Sequence, residues 1–144
     1  MTYSDLAALL RGLPDAELGS GASEDDISQA EGLIGPLVGE YRSFLEEFGW
    51  ANIRHLEIFG LGDGTTTAND LVKTTLFERS YGRIAHLVPV ENIGTGDLCC
   101  VRQVPGTLYD SPVILSPLDS GEADYIEDRE GFAHWLIERV KNII

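Results

Sequence analysis

Tyr3, Leu6, Leu10 and Leu13 recur at the spacing of one helical face, so a short amphipathic helix is predicted to open the chain, ended by Gly12 and Pro14. Residues 15–22 read as a loop. Ser23 followed by Asp26 has the form of a capping box with the shorter acid in place of Glu. A second helix is therefore predicted to start there, continue through Ile27, Ala30 and Ile34, and stop near Gly35-Pro36. Tyr41, Phe44, Leu45 and Phe48 occupy i, i+3, i+4 and i+7 and predict a third helix with one buried stripe. Arg42, Glu46 and Glu47 fall on its outer side, and Gly49 is placed as its C-terminal cap.

The middle of the chain changes character. Apolar runs at 56–61, 84–90, 98–104 and 113–115 predict strands, with a short one at 125–126. Asn92-Ile-Gly-Thr-Gly-Asp97 turns the chain between the second and third of these. Asn69 or Asp70 caps a helix through about residue 81, although Thr74 and Thr75 weaken its propensity. Phe132, Trp135, Leu136, Val140 and Ile143 form the stripe of a closing helix, with Arg139 and Lys141 near its C-terminal end. Helices at both ends with hairpin strands between them predict an α+β fold, helices packed on a largely antiparallel sheet, in one domain over residues 1–144. No linker, internal repeat or low-complexity tract interrupts it.

Charge alters the picture most. Twenty-four Asp and Glu face ten Lys and Arg, a net charge of −14. Such a surface repels phosphate backbones and anionic lipids, which disfavours direct binding to nucleic acid or membrane. Solubility is one explanation; electrostatic complementarity to a basic partner, which speeds encounter, is the other. Distribution favours the second. Asp119, Glu122, Asp124, Glu127, Asp128 and Glu130 are accompanied by a single base, Arg129. Glu24, Asp25 and Asp26 make a second cluster, which suits the positive end of the helix predicted to begin there. With 43% hydrophobic residues, the chain has enough apolar material for a core. Met1 to Asp5 lacks the basic region and long apolar run of a signal peptide, no stretch is long enough to span a bilayer, and Cys99 and Cys100 are adjacent on an expected strand. A reducing, cytoplasmic setting is expected, with no disulfide.

The search for chemistry returns negatives. Gly60-Leu-Gly-Asp-Gly64 is followed by Thr65, so it fits neither a dinucleotide fingerprint nor a phosphate-binding loop, and tight-turn duty is preferred. Residues 119–130 have acids at the ends of a calcium loop, but Gly121 and Ala123 stand where ligands belong and Asp124 where glycine belongs. His55, His86 and His134 are dispersed. Cys99 and Cys100 are best read as small packing groups, with a thiol activated by His86 as the enzymatic alternative. Glu91 and Asp97 flank the hairpin turn and are expected to solvate it or bond its amides. Trp50 and Trp135 are expected in the core or at its edge. No catalytic residue, metal or cofactor is predicted.

Four stretches carry a resemblance to a known family: Ile27 with Glu31 and the Gly35-Pro36 break; Tyr41-x-x-Phe-Leu45 leading to Phe48-Gly49-Trp50; Leu87-Val-Pro-Val-Glu91 through Gly96-Asp97-Leu-Cys99; and Phe132-Ala-His-Trp-Leu136. In order and spacing, over about residues 24–140, the chain resembles the SUKH superfamily, which includes yeast cell-wall synthesis regulators and many bacterial immunity proteins. The resemblance implies helices on an antiparallel sheet, no enzymatic activity, and a role in binding another protein. For a bacterial member it implies neutralisation of a cognate toxin. Many such toxins are nucleases with basic clefts, which an acidic protein fills by mimicking a phosphate backbone.

The expected function is thus a non-enzymatic intracellular immunity protein that binds a basic, nuclease-type toxin domain, as a monomer or weak dimer. A regulatory or scaffolding module of the same fold is the alternative, and a small Cys/His enzyme a third reading. The expected interface is the acidic segment 119–130, represented by Asp119, Glu122, Asp124, Glu127 and Asp128, with Glu46, Glu47 and Asp97 as secondary candidates.

Overall fold

A computed structural model describes residues 2–84, 86–103, 113–116, 125–128 and 130–144, without the side chains of residues 114 and 125–127. Its elements follow in the order α1 (Tyr3–Arg11), β1 (Glu17–Leu18), α2 (Glu24–Ile34), α3 (Gly39–Glu47), β2 (Ala51–Ile53), β3 (Leu56–Ile58), α4 (Leu71–Ser80), β4 (Leu87–Asn92), β5 (Leu98–Arg102), β6 (Val113–Ser116), β7 (Tyr125–Asp128) and α5 (Phe132–Lys141). The seven strands form one sheet in sequence order, each antiparallel to the next. This is the α+β architecture that the hydrophobic pattern predicts.

The local signals act as expected at the helix starts. Ser23 Oγ accepts from the Asp26 amide at 3.1 Å and Asp26 Oδ2 accepts from the Ser23 amide at 3.2 Å, closing the capping box. Thr2 and Asp5 do the same for α1, and Asp70 caps α4 by accepting from the Lys73 amide at 2.9 Å. The core lies between sheet and helices and centres on aromatic rings. Phe132 of α5 stands 5.1 Å from Tyr41 and 5.4 Å from Phe44, centroid to centroid. The buried Tyr41 hydroxyl donates to the Phe59 carbonyl at 2.6 Å, tying α3 to the end of β3.

Three elements differ from expectation. The loop predicted at 15–22 contains β1, a two-residue strand paired to β2; so short a segment has no period to detect. β2 is absent from the prediction because Ala51-Asn-Ile53 carries too few apolar residues, yet it pairs fully with β3. The strand expected from residue 84 starts at Leu87, because Ile84 takes a left-handed backbone (φ 52°) that cannot continue a strand. Gly49 and Gly60 show why this region is rich in glycine. A Cβ on Gly60 would lie 1.6 Å from the Gly49 carbonyl oxygen, and Gly49 itself has φ 80° just past α3. No described helix is long and apolar enough to cross a membrane.

Candidate partner-binding surface

Several cations of this chain are paired with its own carboxylates and carbonyls. Arg11 pairs with Glu47 at 2.5 Å, Arg54 with Asp15 at 3.2 Å, Arg83 with Glu78 at 2.8 Å and Arg139 with Glu91 at 2.6 Å. Arg79 donates to the carbonyls of Ile34, Ile84 and Leu87 and to Gln103 Oε1. With 24 acids to ten Lys and Arg, the carboxylates in excess set the field outside.

Among the described residues, one group of carboxylates gathers where α2 and α3 meet. Arg42 stands 3.3 Å from Glu31, 3.5 Å from Glu24 and 3.9 Å from Glu46, one cation among three carboxylates. Glu31 also fixes the chain break, accepting from the Leu37 amide at 2.9 Å. Asp25 is exposed, Glu24 has 74% of its side chain in solvent and Glu46 47%. These three are carboxylates a partner can reach.

The expected interface residues have different fates. Asp119, Glu122 and Asp124 lie outside the described residues, as does the side chain of Glu127. Glu46 is exposed, but Glu47 clamps α1 to α3. It accepts from the Tyr3 hydroxyl at 2.8 Å and from Arg11, whose guanidinium also lies 4.9 Å over the Phe48 ring. The hydrogen bond from Arg11 holds the Glu47 carboxyl below its ordinary range, while burial and then the bond to Glu47 push the Tyr3 phenol up. Asp97 is half-buried at the start of β5, and its carbonyl accepts from the Ile93 amide at 3.2 Å.

Asp128 closes the junction between β7 and α5. Its Oδ1 accepts from the amides of Glu130 (2.7 Å) and Gly131 (3.2 Å), and its Oδ2 meets His134 Nδ1 at 2.5 Å. Glu130 meets the other ring nitrogen at 2.8 Å. The bond to Asp128, reinforced by the charges of Asp128, Glu130 and Glu138, raises the His134 pKa. Among the described residues, Asp128, Glu130 and His134 are the group able to hold a metal ion, their ligand atoms lying within 4.8 Å of one another. Both ring nitrogens already face carboxylates, an arrangement that suits an imidazolium better than a metal.

The chemistry around the cysteines is equally settled by geometry. Cys99 and Cys100 are 3% and 0% exposed, and Cys100 lies opposite Pro89 in the β4–β5 ladder. His86 is exposed three residues before Pro89, about 10 Å along the strand, which separates it from either thiol. Glu91 corrects the expectation that it solvates the turn: it is 2% exposed and held by Arg139 through two bonds, Nε to Oε1 at 3.2 Å and Nη2 to Oε2 at 2.6 Å. Leu87 to Glu91 are all buried, so the strand is covered on both faces, and a bulge separates Pro89 from Glu91 in its pairing with β5. A cleft of about 590 Å³ opens over this ion pair, lined also by His55, Cys99 and Leu115.

A larger cleft, about 680 Å³, lies between α4 and the sheet, with Phe59, Glu57, Lys73, Phe77 and Glu78 in its walls. Sequence reasoning missed it. The signal was the pair Leu76-Phe77 beside Thr74-Thr75, apolar residues at positions that a helix buried through Leu71 and Thr75 must turn outward.

No curated protein matches this chain. The family described as SMI1-KNR4 cell-wall (SUKH_5) matches residues 6–141, from within α1 to the end of α5. Its reach, its seven-stranded antiparallel meander and its helical layer agree, and the chain belongs to this family of the SUKH superfamily.

Proposed function

We propose that this protein is a non-enzymatic, cytoplasmic immunity protein that binds and neutralises a basic toxin domain of nuclease type. The observation that carries the reading is the excess of negative charge at the α2–α3 corner, where Glu24, Glu31 and Glu46 share the single cation Arg42 beside the exposed Asp25, on a chain of net charge −14. Carboxylates spread over a rigid surface are what a phosphate-binding cleft recognises, and they speed association with it. Glu127, Asp119, Glu122 and Asp124 belong to the same reading as sequence-based candidates. Asp128 and Glu47 contribute charge but also hold α5 and α1 in place, so neither is a clean probe of binding.

Co-purification of the chain with the product of the adjacent gene tests the proposal. Reversing Glu24, Asp25 and Glu46 to Lys should slow association at least tenfold at low salt, while the far-ultraviolet spectrum stays that of wild type. Binding that ignores both salt and these reversals would sink it. The family's printed description, which refers to the cell wall, favours a second reading as a regulatory module docking on a host protein. A neighbouring gene whose product is neither toxic nor bound would favour that reading.

A further inference from the structure

Six large apolar side chains are exposed among the described residues, and four of them border one helix. Leu76 and Phe77 lie on α4 with 43% and 60% of their surface in solvent, and Tyr81, its C-cap, is 73% exposed. Leu33 of α2 lines a small cleft together with Val72 of α4. The buried side of α4 is the poorer one. It offers Leu71 and Thr75, whose hydroxyl is satisfied by the Leu71 carbonyl at 2.7 Å. Two of the helix's larger apolar residues, Leu76 and Phe77, therefore face out.

This outward face is firmly supported. Arg79 binds three carbonyls and Gln103 beneath it. Arg83, 9% exposed, joins Glu78 to the carbonyls of Gly96 and Ser116. Phe77 and Tyr81, one turn apart, pack with centroids at 5.2 Å and planes tilted by 59°. Rigid, exposed aromatic residues on an anchored helix are the composition of an interface centre.

We propose that the outer face of α4, together with the cleft below Phe77, is the docking surface for the basic partner, which enters it with an arginine side chain. The inference rests on the function proposed above and names its site. Charge decides the occupant. Glu57 is exposed on the sheet side of the cleft and has no ion pair among the described residues. Glu78 is neutralised by Arg83, and Lys73 stands on the helix side. A guanidinium is thus directed away from Lys73, toward Glu57, with its stem and planar head against the Phe77 and Tyr81 rings. A lysine would keep the charge and lose the stacking.

The test uses the full chain and the adjacent gene's product as the binding probe, by calorimetry and stopped-flow mixing. Phe77→Ser should weaken binding by roughly 30-fold, mostly through faster dissociation, with an unchanged melting temperature because the side chain is exposed. Glu57→Gln should weaken it and Lys73→Glu should tighten it. The α4 amides should gain protection from hydrogen exchange in the complex. Unchanged affinity in Phe77→Ser, with binding still lost on reversal of Glu24, Asp25 and Glu46, overturns the α4 site and leaves the proposed function standing. Absence of any binding by wild type overturns both. A wild-type dimer that Phe77→Ser converts to monomer makes a second copy the occupant and also overturns the proposal.

Discussion

Arg139→Met should destabilise this protein far more than Glu91→Gln, although both break the same ion pair. The reason is the unequal burial of the partners: the Glu91 side chain is 3% exposed, that of Arg139 32%. Removing the guanidinium leaves a carboxylate that water hardly reaches, and breaking a buried pair in this sense costs about 3–5 kcal/mol. The Arg139 end opens to solvent, so water can enter the vacated space and the low end, about 3 kcal/mol, is expected. Removing the Glu91 charge leaves a guanidinium that solvent can partly hydrate, and the loss falls to about 1 kcal/mol. For a domain of this size each kcal/mol lowers the melting temperature by about 3–4 °C. The two variants should therefore melt about 10 °C and about 4 °C below wild type. The double variant Glu91→Leu/Arg139→Met, which removes both charges, should recover to within about 1 kcal/mol of wild type. Urea unfolding at pH 7, with the m value unchanged, measures all three. Equal losses in the two single variants, or a larger loss in Glu91→Gln, would refute the reasoning from burial.

Stability should also depend on His134. Its folded pKa is raised above the unfolded value of about 6.5, so its contribution is present in full below that pH and is lost as pH rises through the folded pKa. His134→Gln should flatten the urea midpoint's fall with pH on the alkaline side; a fall that survives the substitution excludes this histidine as its source. Glu47→Ala should cost roughly 1 kcal/mol by releasing Tyr3 and Arg11, and should speed hydrogen exchange in α1 ahead of the other helices. Gly60→Ala should cost more than about 4 kcal/mol, because the added Cβ would meet the Gly49 carbonyl oxygen, which is backbone and has no rotamer to yield. An alanine variant that melts like wild type would mean the two backbones are farther apart than described.

The starts of α2 and α4 were legible because each is set by side chains within three residues of one another. Ser23 with Asp26, and the cap expected at Asn69 or Asp70 and found at Asp70, need no knowledge of the rest of the chain. The aromatic stripe of α3 was legible for a similar reason, its period being local. What the sequence hides is long-range. Glu91 and Arg139 are 48 residues apart, and nothing near either tells that the two meet. Glu47 looked like a free surface acid because its two partners lie on α1, 36 and 44 residues away. The α4 face was hidden differently. A sequence pattern reports that a residue is apolar and not which side the sheet will take.

In the proposed function, charge and apolar surface divide the work of recognition between different parts of this fold. Arg79, Arg83 and Arg139 fix α4 and α5 to the sheet through carbonyls, Glu78 and Glu91, while Arg11 and Arg54 pair with carboxylates at the exposed surface. Exposed ion pairs of the second kind contribute about 0–1 kcal/mol. Acids far outnumber bases, so the exterior keeps a negative field. The anchoring also explains how α4 tolerates exposed aromatic residues: its position is set by Arg79 and Arg83 beneath it, so its outer residues need not pack to hold the helix. A long-range field then governs encounter, and a short-range apolar face governs how long the encounter lasts. The first is insensitive to the identity of any one acid, while the second depends on Phe77 and Tyr81 individually. On the proposed docking surface, specificity among related basic partners would reside in α4 and its cleft rather than in the number of carboxylates.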